Sequence, residues 1–288
     1  MRRDFISVLD ADPYDLTLLL DRAALMKRAR GETGEHRILA GKCLAMVFEK
    51  ASTRTRVSFE VGMEELGGHA IFLNPNDLQL GRGEEVMIRA FKHGTIEEFA
   101  RFSTVPVING LSDREHPCQI LGDLLTLREH FGSTDGLSVA WIGDGNNVCH
   151  SLILAAAMAG VELSVASPAR YRPDHGIVEA ARAAGAKIRV TGDPREAARD
   201  ADALYTDVWV SMGEEAEREE RLAAFRGYTI DSGLLSIASP EAVVLHCLPA
   251  HRGEEITDEV LEGPQSIVWD QAENRLHTEK ALLATLLG

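Results

Sequence analysis

The sequence predicts an α/β protein of two domains, each a parallel sheet flanked by helices on both faces. Short Val-, Ile- and Leu-rich runs alternate with helical stretches along most of the chain, which is the pattern of strand, helix, strand units. Those runs are too uniformly apolar to leave one sheet face in water, as expected of strands covered on both sides. A chain of 288 residues, 45% of them apolar, also exceeds what one small core needs.

The elements follow in order. Asp12 before Pro13 is a helix start, and Leu16, Leu19, Leu20, Ala23, Ala24 and Met26 recur near helical spacing, which predicts a helix over 13–30. CLAMVFE (43–49) reads as a strand, and TRVSFEVGMEELGG as a helix that begins within STRTR and stops at Gly67 and Gly68. HAIFLN (69–74) returns as a strand, and HPCQ opens a further helix with Pro117 in its first turn. Downstream, LSVAWIGD, ELSVAS, KIRVTG, ALYTDVW, VVLHCL and SIVWDQ read as strands, separated by helices at NNVCHSLILAAAMAG, GIVEAARAAG and REAARDA. The last helix is expected from Glu273 to about Leu287. A boundary near FGSTDGLS (131–138) gives one domain of residues 1–132 and 273–288 and a second of residues 133–272.

Charge narrows the partners. Lys plus Arg number 30 against 45 Asp plus Glu, a formal charge of -15, and no basic stripe interrupts that background. Such a field repels polyanions, so neither a nucleic acid nor an anionic membrane is expected as partner. MRRDFISVLDADPYD lacks the apolar core of a signal peptide and no run reaches membrane length, so a soluble cytoplasmic protein is expected. Cys43, Cys118, Cys149 and Cys247 form no CxxC pair, which argues against a structural zinc site and a disulfide framework.

Against that acidity, STRTR (52–56) places two guanidiniums and three hydroxyls where a strand hands over to a helix. The first N–H groups of a helix lack partners and its dipole favours an anion there, so Ser52, Thr53, Arg54 and Thr55 suit a phosphate. The plainer alternative is that Ser52 or Thr53 caps the helix while the arginines pair with Glu49 and Glu60. His116 and Gln119, one turn apart, can aim a donor and an amide at one ligand, or serve only as capping groups.

WIGDGNNVCHS stands between a strand and a helix as a dinucleotide fingerprint does, but Val148 occupies the place of its third glycine and no acidic residue ends the next strand. Asn146 and Asn147 then become polar side chains for a ligand. Asp207 and Ser211 in DVWVSMGEE leave a strand end, suited to an ammonium-bearing substrate; Cys247 in HCLPAHRGEE does likewise, with Pro249 stopping the strand and freeing the Leu248 carbonyl to accept. Arg275 in the first turn of the last helix would oppose the dipole unless it faced an anion.

FEKASTRTRVSFE, VINGLSDREHPCQ, WIGDGNNVCHS, TDVWVSMGE, HCLPAHRG and DQAENRLHT, in this order and nearly end to end, resemble the aspartate and ornithine carbamoyltransferase family. The resemblance implies transfer of a carbamoyl group from carbamoyl phosphate to the δ-amine of L-ornithine, giving L-citrulline and phosphate. It implies that Ser52, Thr53, Arg54 and Thr55 bind the phosphate with Arg89, and that His116 and Thr55 polarise the carbamoyl oxygen. Gln119 and the Leu248 carbonyl would hold the carbamoyl nitrogen, with Cys247 and Arg275 around the reacting centre. Asp207, Ser211, Met212 and Asn147 would grip ornithine, and Gln79 would reach a neighbouring subunit's site within a homotrimer. No cofactor and no metal are implied, although a soft cation such as zinc suits Cys247 as an inhibitor.

In one place the chain departs from the family. Members carry a helix and part of a strand between the GRGE loop and MIRAF, whereas GRGEEVMIRAF runs straight through, so roughly 15 residues, about four helical turns, are expected to be absent. Three other readings stand beside the main one: a sibling transferase for acetylornithine or putrescine, a dinucleotide-dependent oxidoreductase, and a non-catalytic binding protein of the same fold.

Overall fold

The computed structural model describes residues 1–30, 37–73, 85–211 and 215–288. The chain divides into two compact units, Met1–Leu125 with Glu273–Gly288, and Thr126–Ala272. Each is a parallel sheet with helices packed on it.

The first unit begins with helix α1 (Pro13–Arg28), where the Asp12 carboxylate accepts from the Asp15 N–H and Pro13 fills the first turn. Strand β1 (Cys43–Phe48), helix α2 (Thr53–Glu65), strands β2 (His69–Leu73) and β3 (Glu85–Arg89), helix α3 (His93–Phe102), strand β4 (Val107–Leu111) and helix α4 (Pro117–Phe131) follow. The strand order is β2-β1-β3-β4, all neighbours parallel. Leu44, Ala45 and Met46 of β1 are all buried, so both faces of the strand are covered and its sequence has no polar alternation. Ile96 and Ala100 of α3 cover one face against Ala45, Val47, Val86, Ile88 and Val107. The chain leaves α2 through Gly67 at φ 81, a left-handed position that favours glycine.

The second unit comprises β5 (Ser138–Ile142), α5 (Asn147–Ala159), β6 (Glu162–Ala166), α6 (His175–Ala183), β7 (Ile188–Thr191), α7 (Pro194–Ala198), β8 (Ala203–Thr206), α8 (Arg218–Ala224), α9 (Ser232–Leu235), β9 (Val243–His246) and α10 (Asp258–Leu261). The order is β7-β6-β5-β8-β9, again all parallel. Val139, Ala140, Trp141 and Ile142 of the central strand are fully buried. An aromatic group of Tyr171, Trp209, Phe225 and Tyr228 packs with Ala140, Ile142 and Leu204 on one face, with Trp209 stacked on Phe225 at 5.5 Å.

The C-terminal reading needs correction. SIVWDQ is not a strand: Ser266 makes a single parallel bridge to Val244, and the last helix, α11, already runs from Val268 to Leu287. A short apolar run with two β-branched residues fits a strand and a buried helical turn equally, and here the helix takes over from Val268. Because α11 starts before Glu273, Arg275 lies about two turns inside it rather than in the first turn. The end charge of the dipole has faded there, so the expected conflict does not arise. The GRGE loop (81–84), beside which the shortening is expected, lies outside the described residues, which resume at Glu85 in β3. Among the described residues no helix is long and apolar enough to cross a membrane.

Candidate functional site

In open parallel sheets ligands meet the chain beyond the carboxyl ends of strands, where the strand order reverses. In the first unit the order reverses between β1 and β3. The exit of β1 leads to Ser52–Thr55, and β3 ends at Arg89. Glu49 ties the two exits together: its N–H donates to the Arg89 carbonyl at 2.9 Å and its carboxylate accepts from the Phe91 N–H at 2.8 Å.

Ser52 caps α2, accepting from the Thr55 N–H at 3.3 Å, and its hydroxyl donates to Thr55 Oγ1 at 3.1 Å. Thr55 is fully buried, whereas Thr53 and Arg54 are exposed at the first turn. The second arginine of STRTR, Arg56, pairs with Glu60 at 2.8 Å and lies 4.3 Å over the Phe72 ring, so its role is structural. Half of the plainer sequence alternative therefore holds alongside the anion reading.

Arg275 of α11 reaches the same place. Its Nη2 donates to Thr55 Oγ1 at 3.1 Å and to Glu279 Oε1 at 2.7 Å. Burial opposes the charge of Arg275, yet Glu279 holds its guanidinium above the ordinary range; burial also pushes the Glu279 carboxyl up against the pull of Arg275. His116, just ahead of α4, is buried. Burial first, and then the guanidiniums of Arg275, Arg89 and Arg54, hold its imidazole well below its usual pKa. One neutral imidazole thus stands within electrostatic reach of three cations beside a helix N-terminus. Gln119, one turn along α4, donates from Nε2 to Asp123 Oδ1 at 2.8 Å.

In the second unit the order reverses between β5 and β8. Asn146 caps α5, accepting from the N–H groups of Val148 and Cys149. Its amide donates to Asp207 Oδ2 at 2.7 Å, while Asp207 Oδ1 accepts from the Val208 N–H at 2.8 Å and from the Cys247 thiol at 2.9 Å. Asn146, not Asn147, is the asparagine bonded to Asp207; Asn147 Oδ1 accepts from the Val148 N–H at 3.0 Å. Ser211 is half-buried on the segment that leaves β8. Met212 and Gln79 lie outside the described residues.

The exit of β9 is organised by His246. Its Nδ1 accepts from the Leu248 N–H at 2.8 Å, which fixes the proton on Nε2, 3.0 Å from Glu255 Oε1. Leu248 sits at φ 56, an uncommon conformation for a branched side chain. Ligand atoms of Asp207, His246 and Cys247 all lie within 4.8 Å of one another.

The dinucleotide-like glycines have a protein reason. A Cβ on Gly145 would stand 2.1 Å from the Pro173 nitrogen, and its N–H donates to the Tyr171 carbonyl at 2.8 Å. Backbone packing therefore requires glycine there. The sequence reading passed over Asp123, Glu279 and Glu255, and named Asn146 without giving it a partner. Asp123 and Glu279 were detectable, since each stands four residues after a candidate on the same helix face.

The comparisons agree with the motif order. The model described as aspartate/ornithine carbamoyltransferase, carbamoyl-P binding domain, matches residues 3–129, and the Asp/Orn binding domain of the same family matches residues 135–286. The ornithine carbamoyltransferase of Methanoculleus marisnigri is 62% identical, covering 100% of this chain and 98% of its own length. That match runs over 302 residues against the 288 of this chain, so at least 14 positions of it have no counterpart here. The ornithine carbamoyltransferase of Archaeoglobus fulgidus is 52% identical, covering 99% of this chain and 98% of its own. Crystallised ornithine carbamoyltransferase from Thermus thermophilus superposes with a TM-score of 0.90 at 46% identity, covering 100% of both chains. The enzyme from Pyrococcus furiosus gives 0.93 at 46%, covering 99% of this chain and 97% of that one. On this evidence the chain belongs to the aspartate/ornithine carbamoyltransferase family.

Proposed function

We propose that this protein is an ornithine carbamoyltransferase, which moves the carbamoyl group of carbamoyl phosphate to the δ-amine of L-ornithine and releases L-citrulline and phosphate. The observation that carries the reading is the neutral His116 beside Arg275, Arg89 and Arg54, next to the Ser52-capped start of α2. A small doubly charged phosphate is complementary in charge to such a group of cations, and the helix dipole at the start of α2 adds to the attraction.

In this reading Ser52, Thr53, Arg54, Thr55 and Arg89 hold the phosphate. His116, Thr55 and Arg275 face the carbamoyl oxygen as negative charge grows on it, each donor worth about 3–4 kcal/mol in the transition state. A neutral imidazole donates one N–H here without repelling the arginines. Asp207, with Asn147, Ser211 and Met212, takes the amino-acid end of ornithine. Asp207 already accepts three donors, yet a carboxylate offers about four lone-pair sites and so keeps room for an ammonium N–H. Cys247 and the Leu248 carbonyl are assigned to the carbamoyl group. The arginines carry the electrostatic work, so the reaction is assigned no metal and no cofactor, and a cytoplasmic homotrimer to which Gln79 contributes is part of the proposal.

A citrulline assay on the wild type beside Arg54→Ala tests it. Citrulline formation is expected from the wild type, with a loss of roughly 100-fold or more in kcat/KM for carbamoyl phosphate in the variant. Carbamoylation of acetylornithine or putrescine in place of ornithine would move the substrate assignment. Phosphate binding without any carbamoylated product would favour a non-catalytic relative, a reading to which the 14 or more missing positions lend weight.

A further inference from the structure

We propose that Asp123 is a specificity-determining positioning residue: it fixes the Gln119 amide with its oxygen toward the ligand, so that the site accepts a carbamoyl group and rejects an acetyl group. This rests on carbamoyl phosphate being the substrate, as proposed above.

The two ends of a glutamine amide have the same shape and opposite hydrogen-bonding character, so only a partner can decide which end faces a ligand. Asp123 makes that decision. It is fully buried, and its Oδ1 lies 2.8 Å from Gln119 Nε2. An ionised carboxylate accepts and cannot donate, so the amide nitrogen must turn to Asp123 and the oxygen away from it. The Arg275 guanidinium is near enough for its charge to couple to that of Asp123.

Spacing and packing make the arrangement rigid. Gln119 and Asp123 are one turn apart on α4 and share a face. Between them Gly122 presses on α11, where a Cβ would meet Arg275 Cγ at 3.2 Å. Gln119 itself is 2% exposed.

The chemical consequence is a choice between acyl phosphates of equal size. A carbamoyl group ends in an NH2, which donates to a fixed acceptor. An acetyl group ends in a methyl, which leaves that acceptor desolvated and unpaired, and a site built around a substrate N–H penalises the analogue that lacks it. With an amide at position 123 in place of the carboxylate, Gln119 is satisfied in either orientation, and the penalty on acetyl phosphate falls.

The test measures the dissociation constants of carbamoyl phosphate and acetyl phosphate by calorimetry on the full chain, alongside citrulline formation. The preference for carbamoyl phosphate is expected to fall roughly tenfold in Asp123→Asn. It is expected to return in the double substitution Gln119→Glu with Asp123→Asn: the introduced amide donates to the introduced carboxylate, whose second oxygen again faces the ligand. Should the single variant fail to fold, the double variant decides, since it keeps the size and charge of the pair. A preference like that of the wild type supports the proposal, and a tenfold lower one overturns it. Both constants weakening in step, with their ratio unchanged, would show Asp123 to be merely structural and would also overturn it. A wild type that binds the two compounds with the expected preference yet makes no citrulline would refute the proposed function and leave the role of Asp123 standing.

Discussion

Thr55 and Arg275 stand 220 positions apart in sequence and are joined by a 3.1 Å hydrogen bond from the guanidinium to the hydroxyl. The same nitrogen is held by Glu279 at 2.7 Å, so the closing helix and the start of α2 present one constrained donor set. Removing one member of a buried pair leaves the other charge uncompensated, which typically costs about 3–5 kcal/mol. Glu279→Ala is therefore expected to destabilise the chain by about that amount in denaturant unfolding. Replacing both Glu279 and Arg275 by apolar residues should recover much of the loss, while leaving activity absent.

The pH dependence of turnover should come from the substrate. Burial, then Arg275, Arg89 and Arg54, keep His116 neutral, so it adds no inflection near its ordinary pKa of about 6.5. The attacking δ-amine must lose a proton, and an alkyl ammonium of this kind titrates near about 10. Initial rates at low ornithine are expected to climb toward an alkaline plateau; a flat profile from mildly acid to alkaline pH would contradict the mechanism.

His116 also makes stability pH-dependent. The unfolded chain takes up a proton on this side chain below about pH 6.5, and the native protein resists it, so the unfolded state binds more protons there. The contribution is present above that pH and is lost as the pH falls. His116→Asn should flatten the acid side of the curve of melting temperature against pH.

Gly145→Ala tests the turn after β5. The added methyl would lie 2.1 Å from the Pro173 nitrogen, and a backbone atom cannot move aside as a side chain does. A loss of about 1–3 kcal/mol is expected from this overpacking. NAD(P)H fluorescence is expected not to respond to wild type or variant, because this glycine accommodates protein backbone.

Zinc should inhibit through Cys247. The thiol, Asp207 and His246 offer ligand atoms within 4.8 Å, but both nitrogens of His246 are already bonded, to the Leu248 N–H and to Glu255. A soft cation would draw mainly on the sulfur and displace the thiol's hydrogen bond to Asp207. Inhibition reversed by a chelator is expected for the wild type, with Cys247→Ser needing roughly tenfold more zinc and magnesium without effect.

Much of this was legible in the sequence for local reasons. The caps at Asp12 and Ser52, the proline starts of α1 and α4, and the left-handed Gly67 depend on neighbours in the chain. SIVWDQ was misread because six residues carry too little periodicity to separate a strand from a buried helical turn. The choice between Asn146 and Asn147 was equally hidden. One caps α5 and the other begins it, so their side chains leave in different directions, and only the fold puts Asp207 beside the first.

By itself the amino-acid sequence determined the two-domain parallel α/β class, the order of most elements, and which strand exits carry arginine, histidine, aspartate and cysteine. These follow from composition and short-range spacing, which act through local backbone preference and through burial. Only the tertiary structure decided that Arg275 meets Thr55, that three guanidiniums come within electrostatic reach of a neutral His116, and that Gln119 is bonded to a buried Asp123. Charge coupling and desolvation depend on distance and burial in space, and residues remote in the chain, or facing inward from one helix, acquire both only when the sheet and its helices close around them.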